Sequence, residues 1–141
     1  MVFPIQQQVI EFHNKFGHPV RDTPQAIDRK EADLAYSFIE EELFELAEAL
    51  YPEVPCDCGD GMCDAESYGY NDYNPDVVEI ADALGDIVFT AYGMAARHGI
   101  DLDEVLREIC ASNLSKTANG QNKIRKGPDY FPPNIARALG L

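Results

Sequence analysis

Residues 78–89 read VEIADALGDIVF. Asp82 and Asp86 stand four apart, one helical turn, so they share a face, and Glu79 lies one turn earlier. Ile80, Ala81, Ala83, Leu84, Ile87, Val88 and Phe89 surround them. The stretch belongs to a longer helical run. Asn74-Pro75 supplies a cap and a first-turn proline, and Gly99 supplies a stop. Apolar residues on nearly every side predict a helix buried over most of its surface. Carboxylates embedded in such a helix cannot all face water, and a buried one without a partner is costly.

The preceding helix carries a second row of acids. Thr23-Pro24 reads as its start, and Pro52 prevents continuation much beyond Leu50. Leu34, Phe38, Leu43, Leu46 and Leu50 form an imperfect apolar stripe. Within IEEELFELAEAL, residues 39–50, Glu41 and Glu45 are four apart and Glu42 and Glu45 three apart, with Glu48 extending the row. A run of glutamates on a helix is usually a solvated face. Here, however, the two helices offer few bases. Arg97 is the only one in 75–99, and Arg29 and Lys30 the only ones in 24–50, all distant from the acids along the chain. Two acid rows on facing helices suit a hard divalent cation, Mg²⁺ or Mn²⁺ rather than zinc.

The rest of the chain extends the helical reading. Ile5, Val9, Phe12 and Phe16 recur at helical spacing over 4–16, before Gly17 and the turn-rich GHPVRDTP. Asp101 caps a shorter helix over 102–114. Residues 115–141 are polar and read as a C-terminal arm, extended and ending in one turn. The expected class is all-α, a single domain over 1–141 resembling a four-helix bundle. Residues 51–74 read as a long loop inserted between the acid-bearing helices.

That loop contains CDCGDGMC, 56–63, with three of the four cysteines. Structural zinc normally takes four ligands from paired elements, and Cys56, Cys58 and Cys63 have no second such element. His98 or Cys110 would have to complete the set. Asp57, Asp60 and Asp64 do not fit a calcium loop. The loop reads as peripheral to the chemistry.

The formal net charge of −14 repels nucleic-acid polymers. No apolar run approaches the roughly 18 residues that span a bilayer, so a cytoplasmic protein without a membrane partner is expected. Lys116, Lys123, Arg125 and Lys126 form a late basic cluster.

Several segments together resemble the MazG-like all-α nucleoside triphosphate pyrophosphohydrolases. Relatives of that family include dimeric dUTPases and phosphoribosyl-ATP pyrophosphohydrolase. The segments are FHNKFG (12–17), EELFE (41–45), DALGDIVFTAYG (82–93), HGIDLDEV (98–105), SNLSK (112–116) and KGPDYFPP (126–133). The resemblance implies Mg²⁺-dependent hydrolysis of a nucleotide between its α- and β-phosphates, giving the monophosphate and pyrophosphate. By motif, Glu42 and Glu45 would be metal ligands, and Asp86 matches the aspartate ending the family's ExxD. Glu41 would be a further ligand or the group that orients the attacking water. The glutamate of ExxD falls on Ala83, which cannot bind metal, so Asp82 is expected to substitute. In an alternative register Glu79 and Asp82 are the pair. Lys116 and Lys126 would reach the phosphates, with Asn113 and Tyr130 helping to hold the nucleotide. Asn14 and His13 would lie near the base, though a lone helical histidine is more often structural. The resemblance also implies a homodimer or a dimer of dimers. Ala83 is the feature favouring the alternative, a catalytically inactive helical interaction module that docks through a metal-binding cysteine loop.

Overall fold

The computed structural model describes residues 4–52, 75–118, 120–121 and 123–141. Five helices lie in this order: α1 (Ile5–Phe16), α2 (Arg29–Leu50), α3 (Val77–His98), α4 (Leu102–Leu114) and the single-turn α5 (Ile135–Ala138). Between α4 and α5, β1 (Thr117–Ala118) pairs antiparallel with β2 (Ile124–Arg125). The class is all-α, as the periodicity predicts. The hairpin was not expected, and two-residue strands are too short to carry a readable alternation. No helix among the described residues is long and apolar enough to cross a membrane. Most of the inserted segment, including Cys56, Cys58, Cys63 and the Asn74 cap, lies outside the described residues.

The helix ends follow capping chemistry more than proline position. α2 begins at Arg29, five residues after the expected Pro24. Asp28 Oδ1 accepts the Glu31 backbone N–H at 2.9 Å, which makes Asp28 the cap. Residues before it are held elsewhere: the Gln25 N–H bonds the His98 carbonyl at 2.9 Å and the Arg21 N–H the Ala96 carbonyl at 3.0 Å. Asp76 likewise caps α3 through the Val78 N–H at 2.8 Å. The expected Asp101 cap is present on α4, accepting from the Glu104 N–H at 3.1 Å.

The chain forms two compact units, Met1–Ala32 with Tyr92–Leu141, and Asp33–Ala91. In the first, α1 turns Gln6, Val9 and His13 inward, and Val9 is 1% exposed. Gln6 Oε1 accepts the Leu102 N–H at 3.2 Å, tying α1 to the start of α4. Tyr92 is buried and donates its hydroxyl to Asp103 at 2.7 Å. Burial and that carboxylate push the phenol up to about 12. The C-terminal arm packs on α4. Ser112, buried, donates to the Phe131 carbonyl at 2.8 Å, and the Phe131 N–H bonds Ser115 Oγ at 3.1 Å. Glu108 accepts the Asn134 N–H and pairs with Arg137.

The same unit contains a buried charged group. Arg21 bonds both oxygens of Glu31, at 2.9 and 2.8 Å. Arg97, whose side chain is 5% exposed, reaches Glu31 at 3.4 Å. Paired with two guanidiniums, Glu31 is held below the usual glutamate range, chiefly by the Arg21 hydrogen bond.

In the second unit, Ala35 of α2 and Ala83 of α3 are buried. The less exposed positions of α2 run Ala35, Phe38, Ile39, Glu42, Leu46 and Ala49, a helical stripe interrupted by one carboxylate. On α3 they run Ile80, Ala83, Ile87 and Thr90. The expectation that 81–89 is buried on most sides is not met. Leu84 and Val88 are about half exposed, and Asp82 and Asp86 face solvent. Among the described residues only the stripe Ile80, Ala83, Ile87 and Thr90 is covered here, and the positions between are exposed.

Candidate functional site

The acids that the sequence singles out converge on one member. Glu42 sits in the half-buried stripe of α2, while Glu41 and Glu45 beside it are exposed. Burial raises the Glu42 carboxyl above the usual glutamate range, and Asp86, Glu45, Glu41 and Asp82 each raise it further. No cation figures among these influences. The carboxylates from both helices are therefore close enough to repel one another through Glu42, which is what facing acid rows require. Thr90 folds its hydroxyl onto the Asp86 carbonyl at 2.9 Å and so stays within its own helix.

One turn along, a cleft of about 300 Å³ opens within this unit. Glu45, Glu48 and Ala49 of α2 line it together with Glu79, Asp82 and Ala83 of α3. Glu48 lies outside the expected ligand set, and Glu79 enters it only in the alternative register that pairs it with Asp82. The helical spacing signals both, since each continues an acid row by one turn. Ala83 occupies the buried stripe of α3 and belongs to the cleft wall, where its methyl leaves room between the acids.

The donor set fits a hard divalent cation: the candidate ligands are carboxylate oxygens, carried by two helices of one unit, and crowded by like charge. They are not drawn into a closed shell. Among the described residues, no three Asp, Glu, His or Cys side chains form a ready-made metal group. His98 turns its Nδ1 to the Met94 carbonyl at 2.9 Å, and Cys110 is exposed on α4.

The expected substrate contacts all belong to the other unit, Met1–Ala32 with Tyr92–Leu141. Lys116 Nζ donates to Asn113 Oδ1 at 2.7 Å. Lys126 Nζ lies 4.9 Å from the centre of the Tyr130 ring, a cation–π contact. These pairs sit beside Ser112 and Phe131, the residues that join the arm to α4. Asn14 is exposed on α1. His13 is buried, with Nδ1 bonded to the Pro19 carbonyl at 3.1 Å, so its role in the fold is structural.

Residues 9–113 match the family model described as phosphoribosyl-ATP pyrophosphohydrolase. The match runs from within α1 to near the end of α4 and takes in both acid-bearing helices. Enzymes of this family are pyrophosphohydrolases acting on nucleotide phosphoanhydride bonds. Comparison with curated proteins gives no match.

Proposed function

This chain belongs to the phosphoribosyl-ATP pyrophosphohydrolase family, and from that premise we propose that it hydrolyses a nucleoside triphosphate between the α- and β-phosphates, with Mg²⁺ or Mn²⁺. The observation that carries the reading is the Glu42 carboxyl, raised by burial and by four acids of α2 and α3. Such a cluster gains stability when a cation neutralises it. The family's enzymes generally work with divalent ions.

In this reading Glu42, Glu45, Asp82 and Asp86 would hold the metal, which would supply neutralisation of the charge developing on the phosphates. Glu41, exposed at the edge of the row, orients the water. The water oxygen bonds to the α-phosphorus as the bond from that phosphorus to the bridging oxygen breaks, pyrophosphate leaves, and the proton of the attacking water passes to solvent. Lys116 and Lys126 bind phosphate oxygens, Asn113 and Tyr130 position the nucleotide, and Asn14 contacts its base. The nucleotide is a small substrate, and the excess of acid argues against nucleic-acid polymers as partners. A cytoplasmic setting, where such nucleotides and Mg²⁺ are abundant, completes the proposal.

A homodimer, or a dimer of dimers, is part of the same proposal. Leu34, Tyr36, Leu43 and Phe44 of α2 are exposed, as are Val77, Val78, Leu84 and Val88 of α3. Apolar side chains in such number on one small unit favour association.

The deciding experiment incubates the protein with Mg²⁺ and a panel of ribo- and deoxyribonucleoside triphosphates and measures pyrophosphate. Release is expected for at least one of them. Glu42→Gln and Asp86→Asn should each lower kcat by about a hundredfold or more, the scale of lost metal affinity and transition-state charge stabilisation, with the helical signal intact. Full activity in both variants overturns the site. No hydrolysis of any nucleotide, with stoichiometric zinc bound, favours the interaction module instead.

A further inference from the structure

We propose, resting on the reading above in which Lys116 and Lys126 bind phosphate oxygens, that Ser112 and Ser115 are positioning residues. They clamp the Phe131 peptide and so hold the two lysines together as one anion-binding pair. All of these residues lie in one unit.

The clamp grips both polar groups of Phe131. The Ser112 hydroxyl, buried, donates to the Phe131 carbonyl at 2.8 Å. The Phe131 N–H donates to Ser115 Oγ at 3.1 Å. The Ser115 hydroxyl spends its own proton on the Ser112 carbonyl at 2.7 Å, so it joins the last turn of α4 to the arm. The arm is fixed again five residues back. At Gly127 an added Cβ would stand 2.5 Å from Thr117 Oγ1, so the backbone there lies directly against Thr117. Between the two anchors the Tyr130 N–H bonds the Gly127 carbonyl at 3.2 Å, and the Tyr130 ring lies 4.9 Å from Lys126 Nζ.

The hairpin sets the lysines against each other. β1 and β2 pair Thr117 with Arg125 and Ala118 with Ile124. Carried one step beyond the ladder, that register puts Lys116 opposite Lys126. Like charges in facing positions repel. Among the described residues no carboxylate pairs with either lysine. Each has turned to a neutral group instead, Lys116 to Asn113 Oδ1 at 2.7 Å and Lys126 to the Tyr130 ring. Two uncompensated ammonium groups on a fixed backbone suit a ligand with several negative oxygens, such as an oligophosphate chain. Fixing the backbone in advance lowers the ordering cost of binding it.

The test titrates inorganic tripolyphosphate, which carries the phosphate chain without a base, into metal-free protein at low ionic strength and follows binding by calorimetry. The natural protein should bind it. Ser115→Ala should weaken binding about fivefold, the scale of one hydrogen bond. Ser115→Thr keeps the hydroxyl and should bind like the natural protein. In a Lys126→Ala background Ser115→Ala should add little, because the serine acts through that lysine's loop. No binding by the natural protein, equal binding in Ser115→Ala, or the same further loss in the Lys126→Ala background each overturns the proposal. On a nucleotide that the protein cleaves, Ser115→Ala should raise KM by the same factor and keep kcat within about twofold; a fall in kcat alone overturns it. Tripolyphosphate bound as described, with no nucleotide cleaved, removes the hydrolase reading and leaves the serine clamp standing.

Discussion

The two units of this chain divide its charge almost completely. Residues 33–91 hold 16 of the 25 acids and none of the 11 lysines and arginines. Residues 1–32 and 92–141 hold the other 9 acids and all 11 bases. In the base-rich unit acids meet bases: Glu31 with Arg21 and Arg97, Glu104 with Arg107, Glu108 with Arg137. In the acidic unit carboxylates meet carboxylates, around Glu42. The first arrangement is internally compensated. The second gathers like charge around Glu42, which a proton or a cation would relieve. Uncompensated carboxylates crowded in one place are where the proposed cation would act.

Glycine 99 provides the largest way to probe the compensated unit. Its φ is +68°, and a Cβ there would overlap the carbonyl of Thr23, a backbone group that no rotamer change can move. Gly99→Ala is expected to cost about 4 kcal/mol or more, or to prevent folding, in urea unfolding followed by circular dichroism. Glu31→Gln comes next, at about 3 kcal/mol, because it leaves the buried Arg97 without its counter-charge. The same pair sets an acid limit. Glu31 is held below its ordinary value, so its contribution is present above that value and disappears as pH falls through the lowered one. If Glu31→Gln is neutral, the contrast between a compensated and an uncompensated unit fails.

How much of this was readable in advance depends on the range of the interaction. Helices α1 and α4 and the acid rows were legible because period, caps and i, i+4 spacing are local. The start of α2 was misread because Thr23-Pro24 is a good local signal that loses to Asp28, while Gln25 is held by His98, far along the chain. The Glu31–Arg21–Arg97 group was invisible for the same reason: Arg97 lies 66 positions from Glu31. Of the site, the residues on α2 and α3 were legible by type and spacing. Their exposure was not, because an apolar helix reads as buried from its sequence whether or not a neighbour covers it. The place of Ala83 in the cleft wall likewise needed the facing helix.

The acidic unit makes a prediction of opposite sign. The Glu42 carboxyl is raised, so the folded chain keeps a proton there that the unfolded chain has already lost. Stability therefore falls as pH rises from the ordinary glutamate value, 4.5, through the raised one. In metal-free buffer above that window, Glu42→Gln should unfold at a higher midpoint than the natural protein, and its pH profile should be flatter. Millimolar Mg²⁺ should then reverse the order, stabilising the natural protein more than the variant. Thermal melts with and without Mg²⁺, across the carboxylate range, read both effects. A variant less stable than the natural chain in metal-free buffer would mean that Glu42 has a compensating partner after all.

The smallest effect is expected where compensation is present but solvent-exposed. Arg137 pairs with Glu108, and the arginine is largely in water. Exposed ion pairs contribute little because water already solvates both partners and ordering long side chains opposes the gain. The arm has a second attachment that the arginine does not serve, since Ser112 holds the Phe131 carbonyl from a buried position. Arg137→Ala should thus leave the urea midpoint unshifted within error, while Ser112→Ala lowers stability by about 1 kcal/mol by removing the buried hydroxyl that bonds the Phe131 carbonyl. Limited proteolysis distinguishes the two: the Ser112 variant should be cut earlier in residues 126–134, the Arg137 variant no earlier than the natural protein. If removing the arginine loosens the arm as much as removing the serine, surface compensation matters more in this unit than burial does.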